Sequence, residues 1–499
     1  MRRKMGVLLI ILLFINNTLV FGAEGEAGFF GGISEGVNLP REIDQYMNNQ
    51  GTTTLDYKEI VFISGEPVEF EGTITINKGN MGNNERGSYN ESINIEAINP
   101  QTDEAMNKSI QLLTSYRVVE KEFGTHIIRN SAVTSWNETI NVEGTAYTLN
   151  PSSTFSKTSV EDITPGISYY STDLRYHAIY DADNNDRIVV DAYNNIYGYN
   201  QTWSKIETQS MNQSIAAYSG NEELWQMNVN VNPVIEAKKS IYATESSPNP
   251  ISFRETYTQR LERNSSLTYN IATNHNHLTQ QQMNNSATIE TANDIEYLTL
   301  PPQELSFLTG HWAEEDIKQL YSLEILDNLP HQNMLYQSMT RGEYIKLLCK
   351  TMNLDISEHE DAEEGDLQVF DDVPPNNPLY PYIMTAYDHK LTKGIAVNTF
   401  GIHQPITREE AFVIYMRIIG LDNIATTDNP RTPFVDNDEI ASWAIKEIEA
   451  GRVLGIIHGD SNGRVNAKSY ISAVEAGSLI NRFIDYLRSG LVDDFIGPR

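Results

Sequence analysis

The chain holds a single cysteine, Cys349, in 499 residues. An intrachain disulfide, a cysteine-based zinc site and an iron–sulfur cluster are therefore excluded. Cations are also scarce. Lys and Arg number 36 against 67 Asp and Glu, for a net charge of −31. So acidic a chain is poorly suited to neutralising phosphates, which argues against nucleic acid and against coating an anionic membrane. Beyond the N-terminus no apolar run reaches about twenty residues, the length a membrane-spanning helix needs. A Gly-x-Ser-x-Gly elbow, a His-Glu-x-x-His pair and a Walker loop are all missing. No catalytic residue, metal or cofactor is expected, although the abundant carboxylates leave a glycosidase pair open. The length itself suggests two to four domains, large enough to need no disulfide staples.

The N-terminus reads as an address. Met1 to Lys4 is basic, Gly6 to Ile15 is apolar, and small Gly22 and Ala23 follow. This is the layout of a secretory signal peptide, residues 1–23, with an apolar stretch too short to span a bilayer. The mature protein is expected outside the cell, with no membrane contact after cleavage.

From 24 to 273 the pattern has period two. Val68, Phe70, Ile74 and Ile76 alternate with Glu69, Glu71, Thr73 and Thr75. Trp225, Met227, Val229 and Val231 alternate with Gln and Asn. Such alternation buries one face and wets the other, as in antiparallel sheets. Breakers such as Asn150-Pro151 and Pro165-Gly166 separate the runs. An all-β unit is expected here, either a sandwich or an elongated β module. Asp181 to Asp186 is acidic enough for calcium but lacks the EF-hand glycine and distant glutamate, so a hairpin turn is the better reading. Tyr193, Tyr197, Tyr199 and Trp203 form either sheet core or, if exposed, a carbohydrate platform. His275 and His277 lie in a polar, Gln/Asn-rich stretch; 274–302 is expected to be a linker.

From Pro301 the periodicity turns helical and repeats at offsets of 66 and 65 residues, anchored on Trp312, Pro378 and Trp443. Sixteen residues past the anchors stand Asn328, Gly394 and Gly459, types that tolerate left-handed backbone. Further on, Thr340 to Glu343, Thr407 to Glu410 and Ser472 to Glu475 each present the Ser/Thr-x-x-Glu of a capping box before an apolar helical run. Units of this size cannot bury their faces alone, so the three should pack together. Cys349 falls on the apolar side of such a helix, as a buried thiol would.

These segments resemble three tandem S-layer homology (SLH) domains. The second, 370–421, carries Phe370-Asp371-Asp372-Val373 and Ile406-Thr407-Arg408-Glu409-Glu410-Ala411. The third, 434–490, keeps Phe434-Val435-Asp436, Trp443-Ala444 and Gly455 to Asp460; the first, 303–354, keeps His311-Trp312-Ala313 and Thr340-Arg341. The resemblance implies an all-α, three-lobed pseudo-trimer that binds a secondary cell wall polymer of a Gram-positive-type envelope. Such polymers are often pyruvylated or otherwise anionic. By the same resemblance, Arg341 and Arg408 would fork a ligand carboxylate. Trp312 and Trp443 would offer a face to a sugar or belong to the lobe core. Asp372 and Asp436 would accept sugar hydroxyls or cap local turns, and Gly394 and Gly459 would let the backbone approach the ligand.

Five departures weaken the pattern. Ala473 stands where a third arginine belongs and Pro378 where a tryptophan does; Ser306 replaces an aspartate, and Glu324 and Lys390 replace turn glycines. One good groove, at most two, is expected. Residues 301–499 carry 16 Lys and Arg against 31 Asp and Glu. An anionic polymer is therefore repelled at long range, and binding must rest on local donors, little weakened by screening salt. The expectation is a wall-attached surface protein, an S-layer or accessory envelope component, with self-association in a lattice compatible with it. An anchored polysaccharide-acting enzyme and an adhesin are the alternatives.

Overall fold

The computed structural model describes residues 30–34, 52–82, 84–121, 124–243, 257–274, 278–289, 294–297, 303–327, 335–362, 368–420 and 431–491. The expected signal peptide, His275, His277 and Asn328 lie outside these residues.

The alternating half folds as one antiparallel 15-stranded sheet. Its strands are β1 (Ile33–Ser34), β2 (Thr52–Val61), β3 (Val68–Lys78), β4 (Arg86–Ile98), β5 (Ala105–Lys121), β6 (Gly124–Val142), β7 (Thr145–Leu149) and β8 (Thr154–Ile163). There follow β9 (Ile167–Ala182), β10 (Asp186–Gln201), β11 (Ser204–Ser219), β12 (Glu222–Ala243), β13 (Tyr257–Thr273), β14 (Asn284–Ile289) and β15 (Asp294–Tyr297). Nearly every strand pairs with its neighbour in sequence, because tight turns leave consecutive strands no other partner. Gly220, at φ +62, makes the β11–β12 turn. Asn150-Pro151 breaks what would be one strand into β7 and β8, which lie in line between β6 and β9.

Of the two expected architectures, a sandwich or an elongated β module, the topology excludes the sandwich and gives one extended sheet. A single meander coils until its first strands reach its last, and Phe62, just after β2, packs edge-on against Tyr269 of β13 at 5.3 Å between ring centres. The inner face is apolar at Phe70, Ile110, Leu174, Met227 and Leu267. It also holds three buried ion pairs, Lys108–Glu59 at 2.6 Å, Lys157–Glu91 at 2.9 Å and Arg129–Glu161 at 2.8 Å. Within 274–302, read as linker, the described residues form a short helix α1 (Gln280–Met283) and the strands β14 and β15. Both strands pair with β13, so this polar segment takes part in the sheet's hydrogen bonding. Asp181 to Asp186 is the β9–β10 hairpin turn, with Asn185 at φ +71. No group of metal-ligating side chains occurs among the described residues.

The second half is helical. Its helices are α2 (Glu314–Ser322), α3 (Arg341–Thr351), α4 (Ser357–Glu360), α5 (Tyr380–Asp388), α6 (Arg408–Ile418), α7 (Ile445–Val453) and α8 (Ala473–Asp485). All three capping boxes form: Thr340 with Glu343, Thr407 with Glu410 and Ser472 with Glu475. The helices interlock across units, with α5 against α3, α7 against α6 and α2 against α8. At the centre the residues before the capped helices close a ring. Met339 N–H donates to Ile471 C=O, Ile471 N–H to Ile406 C=O, and Ile406 N–H to Met339 C=O, at 2.8, 3.1 and 3.0 Å. Among the described residues no helix is long and apolar enough to cross a membrane.

The two halves share a core in which Ile167, Tyr199, Trp203 and Ile206 of the sheet meet the helices. Carbonyls at the ends of α3 and α6, and in the π-helical turn Tyr486–Gly490 that continues α8, accept from the sheet. Trp203 Nε1–H donates to Thr351 C=O at 2.9 Å, Gly166 N–H to Ile418 C=O at 2.8 Å and Gln201 Nε2–H to Leu487 C=O at 2.7 Å. These are the groups a helix leaves unpaired at its C-terminus.

Candidate functional site

Each capped helix begins with an N–H pair aimed at the loop of the next unit. Arg341 and Gly342 donate to Gln404 and Ile402; Arg408 and Glu409 donate to Ser469 and Ala467. This seats the side chain of the first helical residue in the joint between two units. Arg341 is only 6% exposed. Its Nη1 lies 2.7 Å from Glu410 Oε1 and its Nε donates to Phe400 C=O at 3.2 Å. Burial pushes its pKa down, while Glu410 opposes the shift. Arg341 therefore serves as an inter-unit brace.

Arg408 sits in the equivalent joint under looser restraint. Its Nε donates to Val465 C=O at 3.0 Å, but Nη1 is 3.5 Å from Glu475 Oε1. Burial lowers its pKa, and Glu475 works against that. The guanidinium lies over the Phe412 ring at 5.3 Å and lines a groove of about 350 Å³. Arg464, Arg482, Ser478 and Asp460 line the same groove, and Arg482 Nε donates to the Ser478 C=O at 3.3 Å. Trp312 stands on its rim, 65% exposed. One groove thus draws on three separate stretches of the helical half: Trp312 just before α2, Arg408 at the start of α6, and the loop from Ile456 to Ile471 together with α8.

The remaining candidates divide. Trp443, like Trp312, is exposed, so neither is lobe core. Asp372 accepts from the Phe400, Gly401 and Ile402 N–H groups at 2.8, 2.7 and 3.0 Å. Burial raises its pKa, but those three donors outweigh the effect and hold it below the ordinary value. Asp436 is buried and accepts from Val465 and Asn466 at 2.9 and 2.8 Å. Both aspartates pin turns, and the Asp436 turn forms one wall of the Arg408 groove. Gly394 is left-handed at φ +77, and a Cβ there would lie 2.5 Å from Thr399 O. Gly459 lines the groove but is not left-handed; its constraint is a close approach to Phe434 and Gly463. The left-handed turn lies four residues earlier, at Glu324, Lys390 and Gly455, with φ +57, +60 and +71. Arg482 escaped the motif reading. Its signal was the i, i+3, i+7 spacing of Glu475, Ser478 and Arg482, which places all three on one helix face. Cys349 is buried, with its thiol pushed up to about 12 by burial. Tyr199 and Trp203 are core, whereas Tyr197 is exposed and Tyr193 half-buried on the sheet's outer face.

The family model for the S-layer homology domain matches residues 369–412, which run from Val369 through the Arg408 helix start to Phe412. The chain carries an S-layer homology domain. An endoglucanase from Bacillus sp. (strain KSM-635) is 29% identical over 122 residues, 24% of this chain and 12% of that protein. A cell surface protein from Thermoanaerobacter kivui is 25% identical over 118 residues, 23% of this chain and 15% of that protein. The chain thus spans under a sixth of either relative's length. SLH domains anchor proteins to the wall through secondary cell wall polymers. The domain and the second relative's name both point to the cell surface.

Proposed function

We propose that this is an exported surface protein whose three helical units form one SLH pseudo-trimer and hold an anionic, pyruvylated secondary wall polymer in the Arg408 groove. The loosely held guanidinium carries the reading. A 3.5 Å pair with Glu475 leaves Arg408 able to turn its planar fork to an incoming carboxylate, with Arg482 and Arg464 beside it and Trp312 for a sugar face. The interlocked helices and the central ring of hydrogen bonds support the pseudo-trimer. By the same symmetry Pro378 and Ala473 fall in one shared joint, that of the first unit, so both losses disable a single groove. Arg341 braces a second. One working groove remains.

The sheet half is displayed outward, as an S-layer or accessory component, without enzymatic activity. Two of its carboxylates, Glu59 and Glu138, feel one another inside the coil, but both are buried and engaged. Lys108 and Tyr57 donate to the first, Trp136 and Tyr180 to the second. That environment favours a structural role over cleavage of a polysaccharide.

The test is sedimentation of the full chain with purified walls, intact or stripped of secondary polymer. Arg408→Ala should weaken polymer-dependent binding by about tenfold to a hundredfold, the worth of a charged hydrogen-bond pair. Added salt should change wild-type binding little. Equal binding by a folded Arg408→Ala variant would defeat the assignment.

A further inference from the structure

The outer face of the sheet carries a second groove, of about 700 Å³, running across the strands from β8 to β13. Register places its side chains in two parallel rows. In one, Ser156, Arg175, Tyr193, Asn212, Asn230 and Asn270 stand opposite one another on successive strands. In the other are His177, Asp191, Ser214 and Asn228. The strand backbones form the floor.

We propose that this groove binds an extended, uncharged glycan, one sugar ring per strand. Strands are spaced at about 4.8 Å, a pitch comparable with a pyranose ring along an extended chain. Each asparagine amide both donates and accepts, as sugar hydroxyls do. The amides are already ordered: Asn230 Nδ2 donates to Asn212 Oδ1 at 3.1 Å and Asn232 Nδ2 to Asn230 Oδ1 at 2.5 Å. Less freedom is then lost on binding. Tyr193 supplies an aromatic face, held from one side by the Arg175 guanidinium at 4.8 Å from the ring centre. Its hydroxyl is fixed by Asn195 at 2.6 Å and Asp173 at 3.1 Å.

Charge selects against a polyanion. Within the groove the Arg175 cation is stacked on Tyr193 and is balanced by Asp191, which is paired with His177 at 2.7 Å, so no unpaired cluster of cations offsets the long-range repulsion from a chain of −31. A peptide strand is disfavoured for a different reason. The groove crosses strands whose backbones are already paired, so no sheet edge is offered to it. This site is independent of the Arg408 groove, and its failure would leave the wall anchor untouched.

Titration calorimetry of the full chain would use neutral cello-, xylo- and chito-oligosaccharides, from the disaccharide to about the hexasaccharide. Affinity for at least one series should climb with length. Tyr193→Ala should weaken it about tenfold, and Asn230→Ala or Asn270→Ala severalfold, while Gln111→Ala on β5 leaves it unchanged. The asparagine variants decide the matter if Tyr193→Ala does not fold. Three outcomes overturn the proposal: no binding by any series, binding unaffected by the groove variants, or equal binding of oligogalacturonates or of a peptide library.

Discussion

Glu324 shows what a single backbone angle costs. It turns the chain after α2 at φ +57, where the third unit places Gly455 at φ +71. An L-residue pays roughly 1–2 kcal/mol there, while glycine pays about 0.5–1 kcal/mol of extra chain entropy. Glu324→Gly should therefore raise stability by about 0.5–1 kcal/mol in a denaturant titration. Lys390 occupies the equivalent turn but also reaches Glu120 and the Lys121 carbonyl of the sheet. Glycine there would remove those contacts and gain less. Both sites show that a side chain is accepted at a left-handed turn where only the angle, and no close approach, is demanded; around Gly455 nothing lies within 4 Å of an added Cβ.

At the scale of elements, the capped helices are tied together in sequence. Arg341 meets the capping Glu410 of the next unit, and Arg408 meets Glu475 of the one after. The third link would join residue 473 to Glu343, but alanine stands there. Ala473→Arg should complete the circuit and stabilise the helical half by about 0.5 kcal/mol, as partly exposed ion pairs do; thermal melts of the variant and of its Glu343→Gln double mutant check this. The capping boxes themselves were readable from residues three apart, because a cap is local chemistry. The alternation of Val68 to Ile76 likewise announced a strand with one wet face. The clamp on Arg341 was not readable, since its partner lies 69 residues on. Nor was the coiling of the sheet: period two says which face is buried, not what covers it. Nor was the Asn row of the outer groove readable, since only strand register sets Asn212, Asn230 and Asn270 side by side.

For the whole molecule, Trp203 is the residue to disturb. It is buried in the shared core, and its indole N–H caps the end of α3. Trp203→Ala should cost about 3–5 kcal/mol from lost packing. Hydrogen exchange should then rise at the C-terminal ends of α3 and α6 together, because both rest on the same sheet surface. An effect confined to β10 and β11 would mean that the halves fold separately.

The three capped helix ends also have a mechanical meaning. A surface protein is pulled by flow and by its neighbours, and a module hung from one tether passes all of that pull through a single stretch of backbone. Here the sheet grips the helical half at Thr351, Ile418 and Leu487. Shear between the two halves is therefore shared among separated contacts that must fail together.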